Sequence, residues 1–459
     1  MPNLPIMSVS GIRGTVGDSL TGLLVSRIAF LQTKAACTGN GPCKVVVGRD
    51  TRPSGAMFAA AAFRGIRAAG GAPIDIGIAP TPTTCLAVPE LGASAGIIIT
   101  ASHNPGEYNG YKMVHATGRL YRADECEKIY AAFRAEAYPA EASLARYADT
   151  PQETRDAGTL HIDRICARVD VEAIRSAKIK IAVDSINGAG GAVFPRLLDR
   201  LGVAWVGVHN KLDGRFAHNP EPRPEHLGDL AALLRGDTAL RGGFALDPDA
   251  DRLATMGDGG REISEEMTLA LCLRNLLGHV KSDVAVNLST SMVIDDVAAK
   301  FGIRVVRTRI GEANVVEAME RQGCLIGGEG NGGLIYPAIT TCRDGLAALA
   351  VIIELMAKTG FTLSQLAAEW PAYVIVKSKI PLQGVDPAAA IGRLAERFSG
   401  ETIDRQDGLK IIRPRGWVQV RASNTEPIMR CFAEARTRTE AEALAASVME
   451  AFDNGPEKP

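Results

Sequence analysis

The chain has no excess of charge of either sign. Its 459 residues carry 51 Lys and Arg against 52 Asp and Glu, for a formal charge of -1. That balance argues against a dedicated nucleic-acid or anionic-membrane surface, so any strong positive field must be confined to a pocket. The nine cysteines form no CxxC pair and no Cys/His cluster of zinc spacing. An odd, dispersed set suits a reducing compartment. The longest apolar run, Leu346 to Ile353, is far too short for a membrane span. The segment from Met1 to Gly11 lacks the charged start and apolar core of a signal peptide. No Walker pattern occurs. The expectation is a cytoplasmic protein, monomeric or homodimeric, with a small-molecule partner rather than nucleic acid or membrane.

What is present is a chain too long for one hydrophobic core and, at 46% hydrophobic and 22% charged, plainly globular. A strand–helix–strand–helix–strand pattern recurs. It begins at Lys44–Val47 and ends its first round with Gly96–Thr100; it restarts at Lys178–Val183 and closes with Gly243–Leu246. The third round runs from Val284–Leu288 to Cys324–Gly327. Gly70, Gly202 and Gly302 follow the first helix of each round, where a left-handed C′ residue is wanted. Each third strand runs into an unusual loop, and if the rounds are structurally equivalent these loops can face one cleft. From Ala372 the pattern changes to strands at Val374–Ile380, Leu409–Arg413, Trp417–Arg421 and Ile428–Ala435, then a helix at Glu440–Phe452: a smaller α+β domain.

The first loop, Thr100-Ala101-Ser102-His103-Asn104-Pro105, places a hydroxyl and an imidazole at the end of a buried strand, with turn signals at Gly106 and Asn109-Gly110 before Lys112. Read blandly, Ser102 is a helix N-cap. The second loop sets Asp247, Asp249 and Asp251 at alternate positions; a divalent cation is the ordinary remedy for their repulsion, and all-oxygen ligation points to Mg²⁺ or Ca²⁺. It is not an EF-hand, because Arg252 stands where that loop needs Gly; a solvated acidic turn is the plain alternative. The third, Gly328-Glu329-Gly330-Asn331-Gly332-Gly333, leaves Glu329 and Asn331 to meet sugar hydroxyls, and is not read as a dinucleotide fingerprint. A fourth polar stretch, Arg421-Ala422-Ser423-Asn424-Thr425-Glu426-Pro427, is a natural phosphate cradle or else a simple hairpin. Together the loops suggest phosphoryl transfer through Ser102. Lys112 can exchange a proton with a sugar hydroxyl if burial or a neighbouring cation lowers its pKa.

These four stretches, in this order, resemble the α-D-phosphohexomutase family over nearly the whole chain. Gly11-Ile12-Arg13-Gly14, Gly48-Arg49-Asp50-Thr51-Arg52 and Asn219-Pro220-Glu221-Pro222 add to the resemblance. It implies three related α/β/α domains with mixed sheets plus a smaller C-terminal α+β domain around one central cleft. The corresponding boundaries are 1–153, 154–254, 255–369 and 370–459. It also implies a cycle in which phosphorylated Ser102 gives its phosphate to a hexose monophosphate, the bisphosphate reorients, and the other phosphate returns to Ser102. Under the same resemblance, Asp247, Asp249 and Asp251 hold one Mg²⁺ with a phosphoserine oxygen. Arg13, Lys112 and Arg252 lie at the reacting group, with His103 beside it as brace or base. Glu329 and Asn331 hold the sugar, and Arg421, Ser423, Asn424 and Thr425 hold the phosphate not in transfer. A hexose bisphosphate serves as activator and intermediate. Many relatives carry His at the end of the sugar loop, where this chain has Gly333. The form of that loop is similar to the branch assigned as phosphoglucosamine mutases, whereas the fourth loop resembles the phosphoglucomutase/phosphomannomutase group. Glucosamine phosphate is the favoured substrate. A non-catalytic phosphosugar-binding relative and a metal-dependent phosphatase are the alternatives.

Overall fold

The computed structural model describes residues 5–39, 41–382, 385–422 and 428–453. Four sheets organise them. In the first, Lys44–Arg49 lies between Ala72–Ile78 and Ala95–Ile99, all parallel, and Tyr108–His115 pairs antiparallel with Ala95–Ile99. The second repeats this order: Ala204–Val208, Lys180–Asp184 and Gly243–Leu246 are parallel, and Leu253–Gly257 returns antiparallel. The third repeats it again with Val305–Thr308, Val284–Asn287, Ile326–Glu329 and the antiparallel Gly333–Tyr336. The fourth sheet is antiparallel throughout and carries the helices Pro387–Arg397 and Arg438–Asp453. The fold is therefore α/β, with three mixed sheets and one antiparallel sheet.

The repetition has a direct consequence. In each of the first three units the turn from the third parallel strand into its antiparallel neighbour occupies the same topological position. These turns are the stretches around Ser102, around Asp249 and around Asn331. The sequence pattern identifies the parallel strands because each is a short apolar run. It does not identify the returning strands. Asn109-Gly110, which reads as a turn, lies inside Tyr108–His115. Gly110 is needed there because a Cβ would sit 2.5 Å from the Thr100 carbonyl oxygen and 2.6 Å from that of Ile12.

The longest apolar run forms most of the helix Gly345–Thr359, whose residues Gly345 to Met356 are all buried. A helix apolar on every side is one enclosed by protein. Here it sits in a single core that joins the second and third units, through Phe194, Leu246, Leu269 and Leu334. Asp344 caps it, accepting from the Leu346 and Ala347 amides at 3.0 and 2.9 Å. Among the described residues no helix is long and apolar enough to cross a membrane. Cys37 and Cys43, at the end of the helix Gly22–Ala36 and just before the strand Lys44–Arg49, form a disulfide with Cα atoms 5.6 Å apart. That pairing departs from the uniformly reduced set expected of dispersed cysteines; the two are six positions apart along the chain.

The fourth unit meets the third through polar groups. Lys410 is buried, donates to the Leu288 carbonyl, and lies 4.0 Å from the centroid of the Trp417 ring. Trp417 Nε1 donates to Glu434 Oε2 at 2.6 Å, which also accepts from the Met292 amide at 2.9 Å. Burial, with Arg307 adding, pulls the Lys410 ammonium down to about 6 from its ordinary 10.5. Between those values the folded chain binds fewer protons at this group than the unfolded chain, so its contribution to stability rises with pH. Replacing it by Met should therefore gain in stability relative to the parent as pH falls from about 8 to about 6, by up to about 1.4 kcal/mol per pH unit. Urea unfolding at several pH values checks this, and a pH-independent difference between Lys410→Met and the parent would refute it.

Candidate active site

Ser102 is buried at the end of the strand Ala95–Ile99 and is held in a left-handed conformation, φ +50°. A non-glycine residue there costs on the order of 1–2 kcal/mol and persists only where its surroundings over-determine it. Thr100 Oγ1 accepts from the Ser102 amide at 2.9 Å and donates to Asp50 Oδ2 at 2.6 Å. Beneath the loop lies Arg52. Its Nε donates to Asp50 Oδ2 at 3.0 Å, Nη1 to the carbonyls of Pro105 and Tyr108 at 2.6 and 2.8 Å, and Nη2 to those of Ser102 and Asn104 at 2.8 and 2.6 Å. All five N–H donors of a guanidinium are thereby engaged. The sequence pointed to Arg52 only as part of a supporting motif and gave it no task.

Ser102 Oγ lies 3.3 Å from Asp247 Oδ2 and 3.4 Å from His103 Nδ1. Asp247, Asp249 and Asp251 are wholly buried, with carboxylate oxygens within 4.8 Å of one another. Ala250, between the last two, has φ +54°, the counterpart of Ser102 in its own loop. Burial, then Asp251 and Asp249, push the Asp247 carboxyl well above its ordinary value. Oδ1 of Asp249 and Oδ1 of Asp251 have no hydrogen-bond partner. Unpartnered, buried, convergent carboxylate oxygens beside a hydroxyl fit a hard divalent cation.

Lys112 reaches into this loop, with Nζ 2.6 Å from Asp249 Oδ2 and 3.2 Å from Asp251 Oδ2. Burial pulls its ammonium down, but the two aspartates outweigh burial and hold it above the ordinary lysine value. The two aspartates thus oppose the lowered pKa that proton exchange through Lys112 requires, while Arg343 works in the other direction. His103 behaves oppositely. Arg252, burial and Arg13 together lower it to about 2, so it is a neutral imidazole. Arg13 Nη1 donates to Asn104 Oδ1 at 2.8 Å, and the Arg252 amide donates to Asp247 Oδ1 at 3.1 Å.

Glu329 is fully engaged by protein. Oε1 accepts from Asn287 Nδ2 at 2.8 Å and from the Gly311 amide at 3.2 Å, while Oε2 accepts from Arg343 Nη1 at 2.9 Å. Arg343 also reaches Asp251 Oδ2 at 2.8 Å, Glu312 Oε2 at 2.9 Å and Asn331 Oδ1 at 3.3 Å. Neither Arg343 nor Glu312 carries a motif signal; Arg343 ends a short strand and Glu312 opens a helix. Arg343 also accounts for the bare position 333. A Cβ on Gly333 would lie 2.3 Å from Arg343 Cδ, so the arginine stem occupies that space. The letters Gly-Glu-Gly-Asn-Gly-Gly fit GxGxxG, yet the run lies between antiparallel strands and no helix follows, so it is no dinucleotide loop. Gly332, at φ +91°, lets its carbonyl accept from the Leu253 amide at 3.0 Å, pinning the sugar loop to the aspartate loop.

A cleft of about 410 Å³ is lined by Arg13, His103, Lys112, Arg252, Glu329 and Arg343. Arg13, Lys112, Arg223, Arg252, Arg343, Lys377, Arg421 and Arg430 supply positive charge along it, and Glu221, Glu266, Glu312 and Glu329 also line it. This is the local positive field that a chain of nearly balanced charge must concentrate if it binds anions. Arg421 lies opposite Arg430 across paired strands, with Nη1 3.5 Å from Asp407 Oδ2. Ser423, Asn424 and Thr425 lie outside the described residues.

Comparison with known proteins agrees with this arrangement. Residues 6–140, 159–260 and 264–373 match the phosphoglucomutase/phosphomannomutase alpha/beta/alpha domains I, II and III, and 373–451 the C-terminal domain of the same family. A phosphoglucomutase/phosphomannomutase of Thermococcus kodakarensis is 38% identical over 94% of each chain. A probable phosphoglucosamine mutase of Methanopyrus kandleri is 36% identical over 95% of each. The crystal structure of a phosphoglucomutase/phosphomannomutase family protein from Burkholderia thailandensis superimposes with TM-score 0.84 at 25% identity, covering 98% of both chains. Fold and cleft are those of an isomerase of the phosphohexomutase class. The chain belongs to the phosphoglucomutase/phosphomannomutase family.

Arg343→Met strips Asp251, Glu312 and Glu329 of their shared cation and should destabilise the fold by about 3–5 kcal/mol, as breaking a buried ion pair from one side does. Chemical denaturation measures it; a loss under about 1 kcal/mol would show that the carboxylates are paired elsewhere.

Proposed function

We propose that the chain interconverts glucosamine 6-phosphate and glucosamine 1-phosphate through a phosphorylated Ser102. The observation that carries this reading is the burial of Ser102 Oγ beside Asp247 and beside His103, which lines a cleft whose walls bear arginines from all four units. In the first half-reaction the oxygen of a sugar hydroxyl attacks phosphorus, the bond from phosphorus to Ser102 Oγ breaks, and the hydroxyl proton ends on that Oγ. The bisphosphorylated sugar then turns over. In the second half-reaction Ser102 Oγ attacks the other phosphorus, the bond from that phosphorus to the sugar oxygen breaks, and the serine proton ends on the sugar oxygen, which restores phosphoserine.

The carboxylate loop suits Mg²⁺, with Asp247, Asp249 and Asp251 as its protein ligands; when bound it neutralises charge on the phosphoryl group. The remaining tasks fall to side chains. A phosphoserine carries about -1.5 to -2 charges at pH 7. Arg13, Arg252 and protonated Lys112 offset it, and Lys112 acts as a hydrogen-bond donor rather than a base. Glu329 and Asn331, held by Arg343, orient the sugar, and Arg421 holds the distal phosphate together with Ser423, Asn424 and Thr425. In this reading the chain divides at 1–153, 154–254, 255–369 and 370–459.

The choice of glucosamine draws on the sugar loop and on the relatives named as probable phosphoglucosamine mutases. Phosphoglucomutase/phosphomannomutase activity is the second reading, favoured by the name of the 38% identical relative. Ser102→Ala should lose mutase turnover by at least about 10³-fold, since it removes the nucleophile that carries the group; intact mass before and after phosphatase should differ by one phosphate in the parent only. Retained turnover in Ser102→Ala would overturn the phosphoserine route. Comparing rates on glucosamine, glucose and mannose phosphates with bisphosphate activator present decides the sugar, and a preference for glucose or mannose establishes the second reading.

A further inference from the structure

Outside the cleft, the second unit gathers three metal-ligating side chains that phosphoryl transfer does not use. Asp184 ends the strand Lys180–Asp184 and is buried; His209 directly follows the neighbouring parallel strand Ala204–Val208; His218 comes from the loop beyond. Asp184 Oδ2 lies 3.0 Å from His209 Nδ1 and 3.1 Å from His218 Nε2. The C-terminal ends of parallel strands are where α/β sheets ordinarily place ligands.

The far side of each group is equally ordered. Asp184 Oδ1 accepts from the Ile186 amide at 2.8 Å. His209 Nε2 lies 3.1 Å from Asp229 Oδ2, and His218 Nδ1 lies 2.9 Å from the Asn219 carbonyl oxygen. Each imidazole therefore stands between two acceptors, although a neutral ring has only one N–H to donate. If that proton faces Asp229 or Asn219, a nitrogen lone pair is aimed at the buried Asp184 carboxylate. Two lone pairs and a carboxylate oxygen converging on one point are satisfied by a cation. The outer partners are those that orient histidines at metal centres, a carboxylate for one ring and a backbone carbonyl for the other.

We propose that Asp184, His209 and His218 bind one divalent transition-metal ion of the zinc class, separate from the aspartate loop. Two imidazoles and one carboxylate select such an ion over Mg²⁺. Bonds of about 2.0–2.1 Å in a tetrahedron set donor atoms about 3.3 Å apart, close to the spacing observed. His209 and His218 have side chains 20% and 16% exposed, which leaves the fourth position to solvent. The site is braced from behind: His209 has φ +51°, and its carbonyl accepts from the Asn187 amide at 2.5 Å. Ala189 in the same loop donates to the Pro248 carbonyl at 2.8 Å, so the bound ion fixes a loop that buttresses the aspartate triad.

The test uses the full chain without a polyhistidine tag, in saturating Mg²⁺ so that the aspartate loop is occupied. It is titrated with Zn²⁺ by calorimetry and with Co²⁺ by visible absorbance. One equivalent of Zn²⁺ per chain and the intense visible bands of low-coordinate Co²⁺ are expected. His218→Gln should abolish both, and Asp229→Asn, an exposed change that spares the fold, should weaken Zn²⁺ binding about 10–100-fold. His279→Gln, at an exposed histidine elsewhere, should leave the titration unchanged. Absence of Zn²⁺ uptake by the parent chain, or uptake unaltered in both His218→Gln and Asp229→Asn, would overturn the proposal.

Discussion

A single guanidinium holds the cleft together. Arg343 sits within 2.9 Å of carboxylate oxygens from Asp251, Glu312 and Glu329, and it is almost completely buried. Three buried anions around one cation leave a net negative charge, which Lys112 on the other side of Asp251 helps to offset. Removing any partner strands charges that water cannot reach, so the aspartate loop and the sugar loop are electrostatically one object. The directional fork of arginine matters as much as its charge, since a lysine in its place has no comparable way to face three carboxylates at once.

The threefold repetition of the α/β unit explains how such distant residues meet. Each unit turns its chain from the third parallel strand into an antiparallel neighbour. The turns at Ser102 and Ala250 both adopt left-handed backbone, and at Gly332 a glycine does so without strain. The units are then tied across their boundaries by side chains from the turns themselves. Thr81 of the first unit donates to Asp249 Oδ2 at 2.6 Å, and its amide to the Asp249 carbonyl at 2.8 Å. The cleft is an interface between units before it is a pocket.

The sequence makes legible what is contiguous. Ser102 and the three aspartates announce themselves because reactive side chains lie within a few residues of one another and follow an apolar strand. Arg52 and Arg343 do not, because an isolated arginine in a sequence says nothing about the carbonyls or carboxylates that fold around it. His209 and His218 likewise lie 25 and 34 residues from Asp184, a spacing no metal motif uses. The returning strands are hidden in the sequence because glycines required by close backbone approach, such as Gly110, spell turns. The surroundings of Lys112 are hidden for a related reason: the sequence places it just beyond the Ser102 loop, whereas the carboxylates it meets, Asp249 and Asp251, come from another unit. Gly333 is the converse case, a conspicuous blank whose meaning lies ten residues away in the stem of Arg343.

The five bonds of Arg52 reach further than the loop they fasten. In a planar trans peptide the N–H points opposite to the C=O. Turning the carbonyls of Ser102 and Pro105 inward onto Arg52 therefore turns the amides of His103 and Gly106 the other way. Each of the four bonds from the buried guanidinium to a backbone carbonyl orients a peptide dipole with its positive end facing away from it. An arginine sealed beneath the loop, out of reach of any ligand, thus biases the polarity of the backbone on the far side toward negative charge.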